Sequence, residues 1–154
     1  LVSTITLYKP GFGLHIIHGY EVDWAYRTSN LPSDEIIVEA TLNLIADEKA
    51  KINKRMQERL DARTSAQPLS AKSCGSVFKN PPDQSAGLLI RDCGLAGATC
   101  GDAQISDQHA NFIINTGQAS AQDVLALIHL ARDRVKETYG IKLRPEVKFL
   151  GFPV

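Results

Sequence analysis

The sequence has little of what marks a nucleic-acid-binding or membrane protein. Its 17 basic and 17 acidic residues cancel to a formal net charge of zero. Such a balance argues against nucleic acid or an anionic membrane surface as the main partner. No apolar run in the sequence approaches the ~20 residues that a membrane-spanning helix needs. We therefore expect neither nucleic acid nor a membrane among its partners.

Cysteine is scarce as well, since the chain has only Cys74, Cys93 and Cys100. An odd number of cysteines without a C-x-x-C pair does not suit a disulfide scaffold and fits a reducing, cytoplasmic compartment. One group of possible metal ligands lies close in sequence, but its spacing matches no zinc pattern; it consists of Cys93, Cys100, Asp102 and His109. We predict buried free thiols and no metal site.

What the chain does contain is enough apolar sequence for a folded core. Hydrophobic residues make up 44% of its 154 residues, which is typical of a globular protein. The first 45 residues read as strands and turns, with a long strand over 35–44 rich in β-branched residues. A surface helix is predicted over 46–64, because apolar residues recur there at every fourth position, namely Ile52, Met56 and Leu60.

The second part of the chain mixes strands with helices. Ser85 and Ser120 are placed to cap two helices, and Gly140 is placed to end the second. The predicted helices cover 86–93 and 120–139, and the predicted strands cover 110–115 and 144–150. The core face of the second helix is predicted to consist of Val124, Leu127, Ala131 and Val135. This order of elements predicts an α+β fold.

One short segment, Gly75-Ser-Val-Phe-Lys-Asn-Pro81, carries an unusual mixture of side chains. Gly75 lets the backbone approach a ligand closely. Ser76 offers a hydroxyl that can donate or accept a proton. Asn80 precedes two prolines, so its backbone is biased toward an extended conformation. Spacing alone leaves two interpretations open: a ligand-binding segment, or a strand end followed by a proline turn.

This segment resembles the signature of the UDP-N-acetylenolpyruvoylglucosamine reductases, the MurB family of peptidoglycan synthesis. Four further stretches follow in the family's order and spacing; they cover residues 26–29, 86–90, 103–115 and 145–151. The match resembles the short subtype, which lacks an inserted tyrosine-bearing loop. Family members run to about twice this length, in keeping with two or more domains.

The resemblance implies a division of the chain into three parts. Residues 1–45 would be the C-terminal strands of a flavin-binding domain, 46–70 a helix and linker, and 71–154 a small α+β substrate-binding domain. The chain begins with an alternating pattern that reads as a strand already under way, and it has no initiator Met. We expect it to be a C-terminal fragment that is inactive by itself.

The resemblance also implies a reaction. The complete enzyme would use NADPH and FAD to reduce enolpyruvyl-UDP-N-acetylglucosamine to UDP-N-acetylmuramate. Hydride addition at the β-carbon leaves negative charge at the α-carbon and on the carboxylate, which needs a positioned donor and then a proton. The family motifs assign the proton donor to Ser76 and an assisting carboxyl to Glu146. Without the resemblance, Ser76 is a turn serine and Glu146 an exposed carboxylate.

Further site residues follow from the same motifs. The substrate-binding groups implied by the family are Arg63, Lys79, Asn80, Gln104 and His109, and Arg27 is implied close to the flavin and the substrate carboxylate. An Arg fork suits phosphate oxygens and carboxylates, whereas a lone His is more often structural. Asp102 stands where family members usually have Gly, which could alter the neighbouring loop.

Two other functions remain open at this point. The chain could be a UDP-sugar-binding module without a redox step. A hydrolase that uses Ser76 is disfavoured, because the sequence contains no G-x-S-x-G elbow. The sequence does not give the oligomeric state, and we favour a monomer.

Overall fold

The computed structural model describes residues 1–151 of the chain. It divides into two compact units, Leu1–Ile52 and a second unit from Asn53 onward, and each is described by itself. Within residues 1–151, the structure has no helix with the length and apolarity needed to cross a bilayer.

The first unit is built on an antiparallel sheet of three strands. β1 (Val2–Lys9) lies between β2 (Gly13–His18) and β5 (Ile36–Leu42). A 3₁₀ turn (Gly19–Glu21) and a small hairpin of β3 (Trp24–Ala25) and β4 (Thr28–Ser29) lie between β2 and β5 in sequence. The predicted strand over 35–44 is confirmed, although all seven residues of β5 are exposed. The buried cluster of this unit consists of Ile5, Leu7 and Val22.

Helix α1 (Lys49–Ala66) confirms the helix predicted over 46–64. None of its residues is buried. The predicted apolar stripe is exposed, at 36% for Ile52, 64% for Met56 and 54% for Leu60. Near its end, the side chain of Gln108 donates to the carbonyls of Thr64 and Ser65 at 3.1 and 3.0 Å. This contact ties the last turn of α1 to the loop before β9.

The second unit packs two helices against a four-stranded antiparallel sheet of order β6-β9-β8-β7. Its elements are β6 (Lys72–Ser76), α2 (Ala86–Asp92), β7 (Thr99–Cys100), β8 (Ala103–Ile105), β9 (Phe112–Asn115) and α3 (Ala121–Tyr139). The mixture of helices and antiparallel strands confirms the predicted α+β class. The predicted strand over 110–115 is also confirmed, in the shorter form of β9.

Both helices begin where their capping residues predict, and α3 also ends where its capping residue predicts. The Ser85 hydroxyl accepts a hydrogen bond from the backbone N–H of Leu88 at 3.4 Å. Ser120 and Asp123 form a capping box at the start of α3. The hydrogen bonds from the Ser120 backbone and hydroxyl lower the pKa of Asp123 below its usual range. Gly140 ends α3 in the left-handed conformation at φ +71°, which glycine adopts without strain.

The core of the second unit lies between the sheet and one face of α3. Leu127, Ala131 and Val135 are buried there, as predicted, and Val124 is partly buried at its edge. Ile128 joins them on the same face. The segment after β6 contributes Val77 and Phe78, α2 contributes Ile90 and β8 contributes Ile105, each at most 2% exposed.

The strand predicted over 144–150 is wrong. In its place the structure has a single antiparallel bridge between Phe78 and Pro145. Proline has no backbone N–H and therefore cannot continue a hydrogen-bonded ladder. The segment still lies beside the 77–79 backbone, to which it is joined by two backbone hydrogen bonds that are described below.

Candidate active site

A β-bulge turns the backbone just before Ser76. β6 and β9 pair Ser73 with Ile114, and then Ser76 with Phe112. Two residues of β6, Cys74 and Gly75, therefore stand opposite one residue of β9. Gly75 has φ +82°, which glycine adopts at little cost. Because a shift of one residue moves side chains to the other face of a sheet, the bulge determines which face Ser76 presents.

The segment after Ser76 is joined to the segment that carries Glu146. The backbone N–H of Glu146 donates to the carbonyl of Val77 at 2.8 Å, and the N–H of Lys79 donates to the carbonyl of Arg144 at 2.9 Å. Phe78 and Pro145 form the bridge between these two contacts. Two stretches far apart in sequence thus meet at one edge, and the backbones of Ser76 and Glu146 come close together. Both residues are half-buried.

Asn111 is a residue that the sequence analysis missed. Its side chain is buried and pairs with both backbone groups of Phe78: Oδ1 accepts from the N–H and Nδ2 donates to the carbonyl, each at 2.9 Å. Its own carbonyl accepts from the N–H of Val77 at 2.8 Å. One signal could have revealed it, since Asn111 is a polar residue inside the apolar run 110–114, and a buried polar group must find partners.

His109 lies next to this residue in a structural role. Its Nδ1 accepts from the backbone N–H of Asn111 at 3.2 Å, and its ring meets Phe112 edge-on with centroids 5.0 Å apart. A Cβ on Gly87 would come within 3.0 Å of the ring, so α2 packs closely against it. Burial lowers the pKa of His109 below its usual range, and the positive charge of Arg91 adds to that lowering. The ring is therefore neutral at neutral pH.

Asn80 and Gln104 also make contacts inside the protein. The Asn80 Oδ1 accepts from the N–H of Ala86 at 3.0 Å, which satisfies a backbone donor at the start of α2. Gln104 lies on β8 opposite Ile114, and its Nε2 donates to the carbonyl of Gly97 at 3.3 Å. Asn80 lies shortly after Ser76 in the sequence, whereas β8, which carries Gln104, is separated from β6 by β9 in the sheet.

The two arginines predicted for the site lie on separate elements. Arg63 is in the last turn of α1, where its Nε donates to Gln67 at 3.2 Å. Arg27 is in the first unit, in the turn of the β3–β4 hairpin, with φ +59°. Its guanidinium lies 5.9 Å from the Tyr26 ring centroid. A non-glycine residue in this conformation is uncommon and marks a position for functional tests.

Asp102 anchors a loop in this structure. Its Oδ2 accepts from the N–H of Gln118 at 2.7 Å, and its carbonyl accepts from the N–H and the hydroxyl of Thr116, both at 2.9 Å. Gly117 passes so close that a Cβ there would come within 2.6 Å of the same carboxylate. The carboxylate thus fixes the loop between β9 and α3.

The cysteine prediction needs a correction. All three thiols are free, but Cys74 is exposed, and Cys93 and Cys100 are only half-buried. Cys74 is exposed where it lies in the bulge of β6. Within residues 1–151, no three His, Cys, Asp or Glu side chains are arranged to hold a metal ion.

Comparison with known proteins gives consistent matches. The family model of the C-terminal domain of UDP-N-acetylenolpyruvoylglucosamine reductase matches residues 67–150. A reductase of that name from Halalkalibacterium halodurans is 46% identical over 143 residues, covering 92% of this chain and 48% of the relative. A reductase 1 of that name from Bacillus anthracis is 42% identical over 153 residues, covering 98% of this chain and 50% of the relative.

A solved structure is similar as well. The crystal structure of UDP-N-acetylenolpyruvylglucosamine reductase (MurB) from Thermus caldophilus superposes with a TM-score of 0.83 at 41% sequence identity. The similarity covers 96% of this chain and 52% of that one. The present chain therefore spans about half the length of the relatives that it matches.

Proposed function

The chain belongs to the UDP-N-acetylenolpyruvoylglucosamine reductase family, and on that premise we propose that it supplies the proton donor and sugar-nucleotide contacts of such a reductase. The observation that carries the proposal is the meeting of the Ser76 and Glu146 segments, through the hydrogen bond from the Glu146 N–H to the Val77 carbonyl at 2.8 Å. A hydroxyl and a carboxyl on adjoining backbones suit a reaction that requires one proton at a carbon atom.

The reaction adds one hydride and one proton, together two hydrogen atoms, across an enol ether double bond. A bound FAD, reduced by NADPH, would supply hydride to the β-carbon of the substrate. Ser76 then gives its hydroxyl proton to the α-carbon, so that its O–H bond breaks as a C–H bond forms. A serine hydroxyl is a weak acid, but it suffices here because a carbon that carries enolate charge is a strong base.

Glu146 has two tasks in this proposal. Its half-buried carboxyl passes a proton back to the Ser76 oxygen after the transfer, which readies the hydroxyl for the next cycle. It also interacts with the substrate carboxylate, where charge builds up during reduction. Both tasks need the short separation that the hydrogen bonds of residues 144–147 support.

Cations on this chain suit the anionic parts of the ligands. Lys79 follows Ser76 closely in sequence, and Arg63 is exposed on α1; we assign both to the diphosphate of the sugar nucleotide. Asn80, Gln104 and His109 are proposed to border the same ligand while they hold local structure. Arg27, fixed in a tight turn at φ +59°, fits an anionic oxygen of the flavin or the substrate carboxylate.

The direct test is conversion of the substrate. Flavin-loaded protein that contains this sequence is incubated with NADPH and enolpyruvyl-UDP-N-acetylglucosamine, and the products are followed by mass spectrometry. The proposal expects a product heavier by two hydrogens with equal consumption of NADPH. Tight binding with the substrate recovered unchanged would favour the alternative of a binding module without redox chemistry. We also assign the protein to the cytoplasm, where NADPH and UDP-sugars are available.

A further inference from the structure

Asn111 acts as a strand partner for the segment that follows Ser76. Its side-chain amide pairs with the N–H and carbonyl of Phe78, both at 2.9 Å, and its backbone carbonyl pairs with the N–H of Val77 at 2.8 Å. Asn111 is 4% exposed, so these bonds form away from water, where an unmet donor or acceptor is costly. One residue thus holds three backbone groups of the segment.

These contacts begin where the regular sheet stops. Ser76 and Phe112 are the last pair of β6 and β9. Beyond them, the 77–79 backbone is held by Asn111 and by residues 144–146, through the bond from Glu146 to Val77 at 2.8 Å and the bond from Lys79 to Arg144 at 2.9 Å. The direction of the chain after Ser76 therefore depends on an amide side chain rather than on a ladder of strand bonds.

We propose that Asn111 is a positioning residue, which holds the Val77–Phe78 backbone so that the Ser76 hydroxyl and Glu146 face the same substrate carbon. This inference rests on the proposed function. Asn111 itself touches neither substrate nor cofactor and acts through the backbone of its neighbours. A displacement of about 1 Å at a reacting group can cost roughly 10²-fold in rate, which sets the size of the expected effect.

The informative variant is Asn111→Asp, which keeps the size of the side chain and its acceptor but replaces the donor to the Phe78 carbonyl. Burial raises the pKa of the new Asp carboxyl; above that pKa the ionised carboxylate would face the Phe78 carbonyl, and the segment should shift. Protonation restores an O–H donor at the same place. With the carboxyl ionised, we expect kcat to fall by about 10²-fold relative to the wild type, with KM little changed. The ratio of variant to wild-type kcat should recover as the pH is lowered.

Asn115 provides a matched control on the same strand. Its Oδ1 accepts from the N–H of Gly117 at 2.9 Å and from that of Ala119 at 3.1 Å. A carboxylate can accept the same two bonds, so Asn115→Asp should leave kcat and its pH profile unchanged. The contrast between the two Asn→Asp variants separates the need for a donor from the general cost of a new charge.

A second variant and a second readout cover the case in which Asn111→Asp fails to fold. Asn111→Ser is neutral and leaves room for water, and it should lower kcat with the protein still folded. Hydrogen exchange provides the readout that does not depend on activity: the amides of Val77 and Phe78 should exchange faster in the Asn111 variants, while those of Gly117 and Ala119 keep the wild-type rate.

The results can overturn the inference separately from the proposed function. Unchanged kcat in a folded Asn111 variant, or a loss of kcat that is matched by an equal loss in Asn115→Asp, would overturn the positioning role. A wild-type protein that never reduces the substrate would instead overturn the proposed function. In that case, unaltered exchange at Val77 and Phe78 in the variants would still refute the structural part of the inference.

Discussion

At the scale of single residues, the backbone of Glu146 is joined to the segment after Ser76. Kinetics can distinguish whether its carboxyl acts in catalysis or in substrate binding. Glu146→Gln keeps the shape and removes the titratable proton. We expect kcat to fall by about 10²-fold, with a smaller change in KM, measured by steady-state kinetics on the flavin-loaded protein. Glu137→Gln, an exposed change on α3, serves as the control. A rise in KM at unchanged kcat would assign Glu146 to binding instead.

The burial of His109 leads to a prediction of how the stability of the fold depends on pH. Burial lowers its pKa in the folded state, so the unfolded chain takes up a proton at a higher pH than the folded protein. Between the two pKa values the unfolded state carries more protons, and the free energy of unfolding therefore rises with pH. We expect stability to be lost as the pH falls below about 6.5, the usual value for His.

The measurement is urea unfolding of the chain across this pH range. His109→Gln should flatten the pH dependence, whereas His129→Gln, at an exposed position on α3, should leave the curve of the wild type unchanged. Parallel curves for wild type and His109→Gln would show that burial of His109 does not set the acid sensitivity.

At the scale of helices and strands, α3 depends on its first cap. Ser120→Ala removes the hydroxyl that accepts from the Asp123 N–H at 3.2 Å, and such a loss typically costs about 1 kcal/mol. Ser120→Thr keeps a hydroxyl and should retain most of the stability. Urea unfolding followed by circular dichroism checks both variants. Equal stability of Ser120→Ala and the wild type would mean that packing of α3 alone fixes its start.

The caps also show how much of the fold the sequence could predict. Ser85, Ser120 and Gly140 act on backbone groups within four positions in the chain, so their effect is visible locally. The strand wrongly predicted over 144–150 has a local cause, because Pro145 lacks the backbone N–H that a strand needs, whereas the bridge from Pro145 to Phe78 could not be predicted because the two residues are far apart in sequence. Asn111 was missed for the same reason, since its partners lie 33 positions away.

At the scale of the whole molecule, the two units differ in the size of their cores. Among the described residues, the cluster of the first unit has three buried members, while that of the second has fifteen. Buried apolar area is the main favourable term in folding. We therefore expect the first unit to open at a lower free energy. Amide hydrogen exchange should be faster at Leu7 than at Ile128; equal rates would indicate one cooperative unit.

The family motifs named Ser76 and Glu146, whose segments are joined by backbone hydrogen bonds in the structure, while the roles of the two side chains stay predictions. Ser76 and Glu146 lie 70 positions apart in the sequence, and no local pattern joins them. The motifs could be recognised in order along the chain. The bulge at Gly75 and the hydrogen bonds from Asn111 to Val77 and Phe78 became visible only in the structure. The sequence alone did not show the contacts between segments that are far apart along the chain.

The central claim is that the Ser76 hydroxyl delivers the proton. The measurement that tests it most directly is the turnover number of the flavin-loaded protein in the wild type, in Ser76→Ala and in Ser70→Ala, an exposed turn serine used as control. We predict that Ser76→Ala loses turnover by about 10²-fold or more while it keeps the fold and substrate binding, and that Ser70→Ala matches the wild type. Turnover of Ser76→Ala at the wild-type rate would contradict the account.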